Sequence, residues 1–242
     1  MPMNLSSLSE ARHVVGICGG AVGGSEAAAL VAKTGSIAVV FEQNIRPYGK
    51  IEDGLPRWHS KLRNKEYAKI DENLSTPGVV FVPGTQLGKD LSFSTLSNGI
   101  GLSVLILAHG AWRDRSLPIK GVDRFVGNGL SYQNPFVYWF NHYEESGFAG
   151  EDFPIHDDAI VIGGGLASID VCKILNLELY VRALGDRGIA VDIEQMEVRG
   201  IPRTLEAHGF TPNDFKIRGC TLFYRRSKED MPLENIKNPT AE

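Results

Sequence analysis

Apolar and polar positions follow one another along the chain in blocks of strand and helix length. Residues 13–17 form a short apolar run, followed by CGGAVGG and then SEAAALVAK, a helical run with alanines on its packing face. Residues 36–42 (SIAVVFE) are a second apolar run, ending on an acid. This succession predicts strand, glycine turn, helix and strand, the plan of a dinucleotide-binding unit. A Gly/Pro-rich loop, RPYGKIEDGLPRWH, leads to a polar helix over about 60–74. Residues 79–82 read as a strand, 91–99 as a short polar segment, and 102–108 (LSVLILA) as a strand of the fully buried type. An aromatic-rich helix is predicted over 136–146. At Asp158 the pattern restarts: AIVIGGGLASIDVCKIL is again strand, glycine turn and helix. Residues 176–219 are weakly periodic and read as helices and loops, and 221–224 give the second strand of the second unit.

The two glycine turns carry the candidate chemistry. In a GxGxxG turn the first glycine permits the tight bend and the second lets a pyrophosphate approach the backbone. The third lets helix and strand pack closely, with the helix N-terminus aimed at the phosphates. Aligned on its helix, the first turn is Cys18-Gly19-Gly20-Ala21-Val22-Gly23. Gly20 and Gly23 take the second and third places, and Cys18 stands where the first glycine is usual. Glu42 lies nineteen residues beyond Gly23, where an acid accepts hydrogen bonds from a ribose. In the second turn Gly163 and Gly165 are in place and Ser168 holds the third position. The matching strand end carries Arg225 and Arg226 instead of an acid, a pair suited to a 2′-phosphate that an acid would repel. A solvated strand end is the competing reading of that pair.

Composition narrows the field. A net charge of −4 and a pI near 5.9 argue against nucleic acid or an anionic membrane bound through bulk charge, so an anion site must be local. No stretch has the apolar length of a transmembrane helix, and MPMNLSSLSEARH lacks the basic and apolar regions of a signal peptide, which predicts a cytoplasmic protein. Cys18, Cys172 and Cys220 fit neither a disulfide framework nor a CxxC pair. They imply a reducing compartment without a metal or iron–sulfur centre.

In combination these motifs resemble the FAD- and NADP-dependent reductases, in particular the adrenodoxin-reductase type of ferredoxin reductase and the small subunit of glutamate synthase. PYGKIEDGLPRWH is similar to the loop that runs beside the flavin in that family. ILAHGAWRDRSLPIKGVD is similar to the segment that returns the chain to the FAD site, with His109 in place of the usual threonine. GGGLASIDVCKIL and LFYRRSKEDMP are similar to the NADP turn and its arginine-bearing strand end. The resemblance implies an α/β fold of two Rossmann-like three-layer units, FAD-type over 1–156 and NADP-type over 157–242. The C-terminal segment that completes the FAD domain in the family has no counterpart before Glu242. By resemblance, Gly19, Gly20, Val22, Gly23, Glu42, Gln43, Gly49, Lys50, His59, Ala108, His109 and Gly110 would hold FAD. Gly163, Gly165, Leu166, Ala167, Arg225 and Arg226 would hold NADP.

The implied activity is an NAD(P)H-dependent flavin oxidoreductase. It would pass electrons from NADPH through the flavin to an acceptor protein or larger subunit, without a membrane or nucleic acid and with oligomers allowed. No catalytic acid–base dyad is required, because the cofactors carry the chemistry. The alternative is a non-catalytic or truncated nucleotide-binding subunit of an electron-transfer complex. For His59 and His109, contact with the flavin stands beside a histidine bonded to backbone or satisfied in the core. For Phe136, Tyr138, Trp139, Phe140 and Tyr143, cofactor stacking stands beside ordinary helical packing.

Overall fold

The computed structural model of the protein describes residues 13–232; all but His13 of the N-terminal stretch read for a signal peptide, and the last ten residues, lie outside the described residues. The chain divides into two compact units, 1–116 and 117–242.

In the first unit the elements are β1 (Val14–Cys18), α1 (Val22–Lys33), β2 (Ile37–Phe41), the single-turn α2 (Lys50–Asp53), α3 (Ser60–Leu74), β3 (Val79–Val82) and β4 (Val104–Leu107). The four strands form one parallel sheet in the order β3-β2-β1-β4. β1 and β2 are β-branched runs buried on both faces, as central parallel strands must be. Val15, Ile17, Ala38 and Val40 form the core with Ala28 of α1. Full burial of an Ile or Val side chain stabilises by roughly 1.5–3 kcal/mol. α1 lies close on the sheet because it packs with small residues, Ala28 joining the core strands and Ala27 and Val31 packing against them. The largely polar α3 is tied to α1 by Asn73, whose Nδ2 donates to Glu26 Oε2 at 3.0 Å and Ser25 Oγ at 3.4 Å.

β4 departs from the expected fully buried strand. It is shorter, and Val104 and Leu107 are 53% and 51% exposed. An all-apolar run implies cover on both faces, but β4 stands at the sheet edge and pairs only with β1 among the described residues.

The second unit contains α4 (Gln133–His142), β5 (Ala159–Ile162), α5 (Leu166–Gly185), α6 (Ile193–Arg199), α7 (Ile201–Ala207) and β6 (Cys220–Phe223), with β5 and β6 paired in parallel. Asp157 fastens the start of this pair: its Oδ1 accepts from the backbone N–H of Arg218 at 2.8 Å and of Gly219 at 2.7 Å. The aromatics of the α4 region pack on one another and on their own unit. Trp139 stacks on Tyr143 with ring centroids 4.6 Å apart, and its Nε1 donates to Asp152 at 3.0 Å. Tyr143 donates to the buried Glu178 on α5 at 2.9 Å. Among the described residues no helix is long and apolar enough to cross a membrane.

Candidate functional site

In the first unit the carboxyl ends of all four strands converge on one cleft of about 670 Å³, the position at which open parallel α/β sheets bind ligands. Backbone hydrogen bonds set this edge. Gly19 N–H donates to Phe41 O at 2.8 Å, Ala108 N–H to Cys18 O at 2.8 Å, and Glu42 N–H to Val82 O at 3.0 Å.

The close approach of helix to strand falls one residue later than the sequence alignment places it. Gly19 has φ +100°, and a Cβ there would lie 2.5 Å from Ala108 O. A Cβ on Gly24 would lie 1.7 Å from Gly19 O, whereas one on Gly23 would meet nothing within 4 Å. Gly19 and Gly24 therefore make the tight turn, and Gly23 leaves open space at the start of α1. That helix has Ala21 at its N-cap, without a side-chain cap, and carries no acid in its first turn. Its first amides are donors suited to an anion.

Glu42 is 4% exposed. Its Oε2 accepts from Gly20 N–H at 2.7 Å and its Oε1 from Asn44 N–H at 3.0 Å. The acid thus holds the glycine turn as well as lining the cleft. Gly19, Val22, Gly23, Glu42, Gln43, Gly49, Lys50, Ala108, His109 and Gly110 all line it. Gly20 is buried behind the turn, where a Cβ would meet Phe81, Pro47 and Val40 at 3.2–3.4 Å. His59 caps α3 away from the cleft lining, with its backbone N–H donating to Pro56 O at 3.0 Å.

Sequence reasoning missed Tyr48, Thr85, Gln86 and Trp112, all of which line the cleft. Tyr48 stacks on Tyr67 at 4.0 Å and donates to Asp71 at 3.2 Å. Burial, reinforced by the Asp71 charge, raises its pKa, so it stays a neutral phenol. Its position directly before Gly49 was the available signal. Burial likewise raises the Cys18 pKa.

In the second unit Gly165 caps α5, and a Cβ on it would meet nothing within 4 Å. Leu166 and Ala167 are exposed beside it, whereas a Cβ on Gly163 would press on Ser168 at 2.8 Å. Arg225 and Arg226 follow β6, both exposed. Cys172 and Cys220, distant in sequence, meet across α5 and β6: Asn176 Nδ2 donates to Cys172 O at 2.8 Å and reaches Cys220 Sγ at 3.5 Å. Burial, with the Cys220 thiol beside it, pushes Cys172 up to about 12, so it is a packed thiol at neutral pH.

A glycine turn at the carboxyl edge of a parallel sheet, with an acid at the end of the second strand, defines the dinucleotide-binding class of α/β proteins. Within that class the chain is related to two kinds of NADPH-linked oxidoreductase, which bears out the resemblance carried by its motifs. It is 27% identical over 148 residues to the mitochondrial NADPH:adrenodoxin oxidoreductase of Arabidopsis thaliana, covering 60% of this chain and 29% of that protein. It is 31% identical over 173 residues to a putative glutamate synthase (NADPH) small chain of Cereibacter sphaeroides, covering 68% and 38%. Among solved structures, Mycobacterium tuberculosis FprA in complex with NADPH superposes with a TM-score of 0.54 at 23% identity, covering 67% and 36%, a likeness of fold. No family model matches. The chain spans about a third of the length of these two curated relatives.

Proposed function

We propose that the chain is the nucleotide-binding part of an FAD-dependent oxidoreductase that takes hydride from NADPH and delivers electrons to a partner protein or subunit. The observation that carries this reading is the convergence of the first glycine turn, Glu42, Gly49 and His109 on one cleft at the strand ends. The relatives support it, each named for NADPH-linked electron transfer or for glutamate synthase. The functional division proposed is an FAD-type part over 1–156 and an NADP-type part over 157–242.

The residues fit FAD. The first amides of α1 and the open space at Gly23 suit the pyrophosphate, and Glu42, at the end of β2, suits the ribose. Gly49, with φ +52°, together with Lys50 and His109, lines the same cleft for the rest of the cofactor. Bound flavin would supply the hydride-accepting ring. The protein's part would be to hold the cofactor in this cleft and exclude water with apolar walls such as Leu91 and Leu96, while Tyr48 and Cys18, which line the same cleft, stay protonated.

In the second unit Gly165, Leu166 and Ala167 suit a pyrophosphate at the start of α5, with Arg225 and Arg226 for the 2′-phosphate. The double substitution Arg225→Ala with Arg226→Ala is expected to raise the Kd for NADPH roughly 30-fold and to leave NADH nearly unchanged. Titration with each nucleotide reads this, and equal losses for both would refute the specificity.

The function itself is tested by an anaerobic visible spectrum of the chain supplemented with FAD and passed through a desalting column. Flavin that remains bound and bleaches when NADPH is added is the expected result. Flavin that washes through, or stays oxidised, would overturn the reading of this chain as a hydride-transfer unit.

A further inference from the structure

The three glycines at 163–165 are not equivalent. A GxGxx pattern places no demand on the middle position, yet a Cβ on Gly164 would fall 2.1 and 2.2 Å from two ring carbons of Tyr224. Gly164 is therefore glycine because the Tyr224 ring sits on it. That ring belongs to the residue immediately after β6, so it bridges the glycine turn and the strand end that carries the arginines.

The hydroxyl does two further things. Tyr224 OH donates to Asp230 O at 2.9 Å and accepts from Arg226 Nε at 2.9 Å, a pairing that one phenol can satisfy in full. The guanidinium carbon lies 5.5 Å from the centroid of the same ring. Behind it, Ser227 Oγ donates to Asp230 Oδ2 at 2.9 Å and Asp230 N–H to Ser227 O at 3.1 Å, closing the turn. With Nε engaged, the remaining N–H donors of Arg226 sit on its two terminal nitrogens, the fork that grips an oxyanion with two parallel bonds. A long, exposed arginine otherwise loses rotamer freedom on capturing an anion, and a side chain held in place beforehand loses less.

We propose that Tyr224 is a positioning residue for nucleotide selection. Anchored on Gly164, it holds Arg226 in the orientation that takes a ribose 2′-phosphate, so discrimination between phosphorylated and unphosphorylated ribose runs through a phenol hydroxyl. The inference rests on the reading of the second glycine turn as an NADP site. It separates the two arginines, Arg226 being braced by Tyr224 and Arg225 being independent of it.

Tyr224→Phe keeps the ring on Gly164 and removes only the hydroxyl, and circular dichroism checks that the fold is kept. The full chain is titrated with NADPH, 2′,5′-ADP, NADH and 5′-AMP. The Kd for NADPH and 2′,5′-ADP is expected to rise about five- to tenfold, with NADH and 5′-AMP changed by less than about twofold. In an Arg226→Ala background, Tyr224→Phe is expected to add nothing, whereas in an Arg225→Ala background its full effect persists. Unchanged affinity for NADPH, or an equal loss for all four ligands, would overturn the positioning role. If the unmutated chain binds NADPH no better than NADH, the NADP reading fails and the proposal with it. If Arg226→Ala abolishes the preference but Tyr224→Phe retains it, the positioning role alone fails.

Discussion

Gly24→Ala is expected to lower the stability of the first unit by about 3 kcal/mol or more, whereas Gly23→Ala is neutral or stabilises it by up to about 1 kcal/mol. The two glycines are neighbours in the first turn of α1, and propensity alone predicts the same small gain at both. Space decides otherwise. A methyl group at 24 would enter within 1.7 Å of Gly19 O, and Gly19 has no room to retreat, since its own Cα faces Ala108 O, where a Cβ would lie at 2.5 Å. Its amide is also fixed to Phe41 O at 2.8 Å. Relief requires α1 to lift off β1, which uncovers Ala28 and the core around Ile17. At 23 a Cβ meets nothing within 4 Å, so alanine there costs the fold nothing but intrudes on the proposed pyrophosphate position. The pair should dissociate in experiment: urea unfolding shifts for Gly24→Ala, and FAD retention falls for Gly23→Ala with its midpoint kept. Matching midpoints would show that the turn relaxes freely.

Glu42→Ala is the second large effect, at about 3 kcal/mol of stability, with loss of FAD retention. Its carboxylate is the acceptor for two backbone N–H groups, Gly20 at 2.7 Å and Asn44 at 3.0 Å, in a site where the side chain is almost wholly buried. Leaving a buried donor without its partner costs about 1–3 kcal/mol each, though water entering the vacated space offsets part of this. Glu42→Gln keeps one accepting oxygen but turns an amide NH₂ toward the other donor, so about half the loss is expected. A Glu42→Ala chain that unfolds at the parental midpoint would show that the acid serves the ligand alone.

Most of the fold was legible because its elements carry strong local patterns. α3 and β3 fall where the periodicity predicts them, the β1 and β2 boundaries shift by one residue, and α1 starts three residues earlier, at Val22. Tertiary context hid the rest. α5 runs on to Gly185 because Ile174, Leu177, Glu178, Tyr180 and Leu184 are buried around much of its circumference, which erases the one-sided stripe that marks a helix. β4 reads as central from its composition and stands at an edge. At the first site spacing located the glycine turn and Glu42, but it put the close-packing glycine at Gly23 where the structure has Gly24. Thr85, Gln86 and Trp112 were not, because loop residues brought in by β3 and β4 leave no periodic trace. Tyr224 left one sign, a third consecutive glycine where two suffice, and its meaning appears only when the ring is seen against it.

The Asp157 fastening also sets a timetable for synthesis. β1 meets its first partner early, since Val14 pairs with Ile37, whereas Ala159 of β5 must wait for Cys220, 61 residues later (220 − 159). At about 5–20 residues per second, roughly 3–12 s pass in which the backbone of β5 has no strand partner. Asp157 cannot help until Arg218 and Gly219 have emerged. The strand pair of the second unit therefore closes late in synthesis, while the first unit can begin to assemble around β1 and β2 as the ribosome moves on.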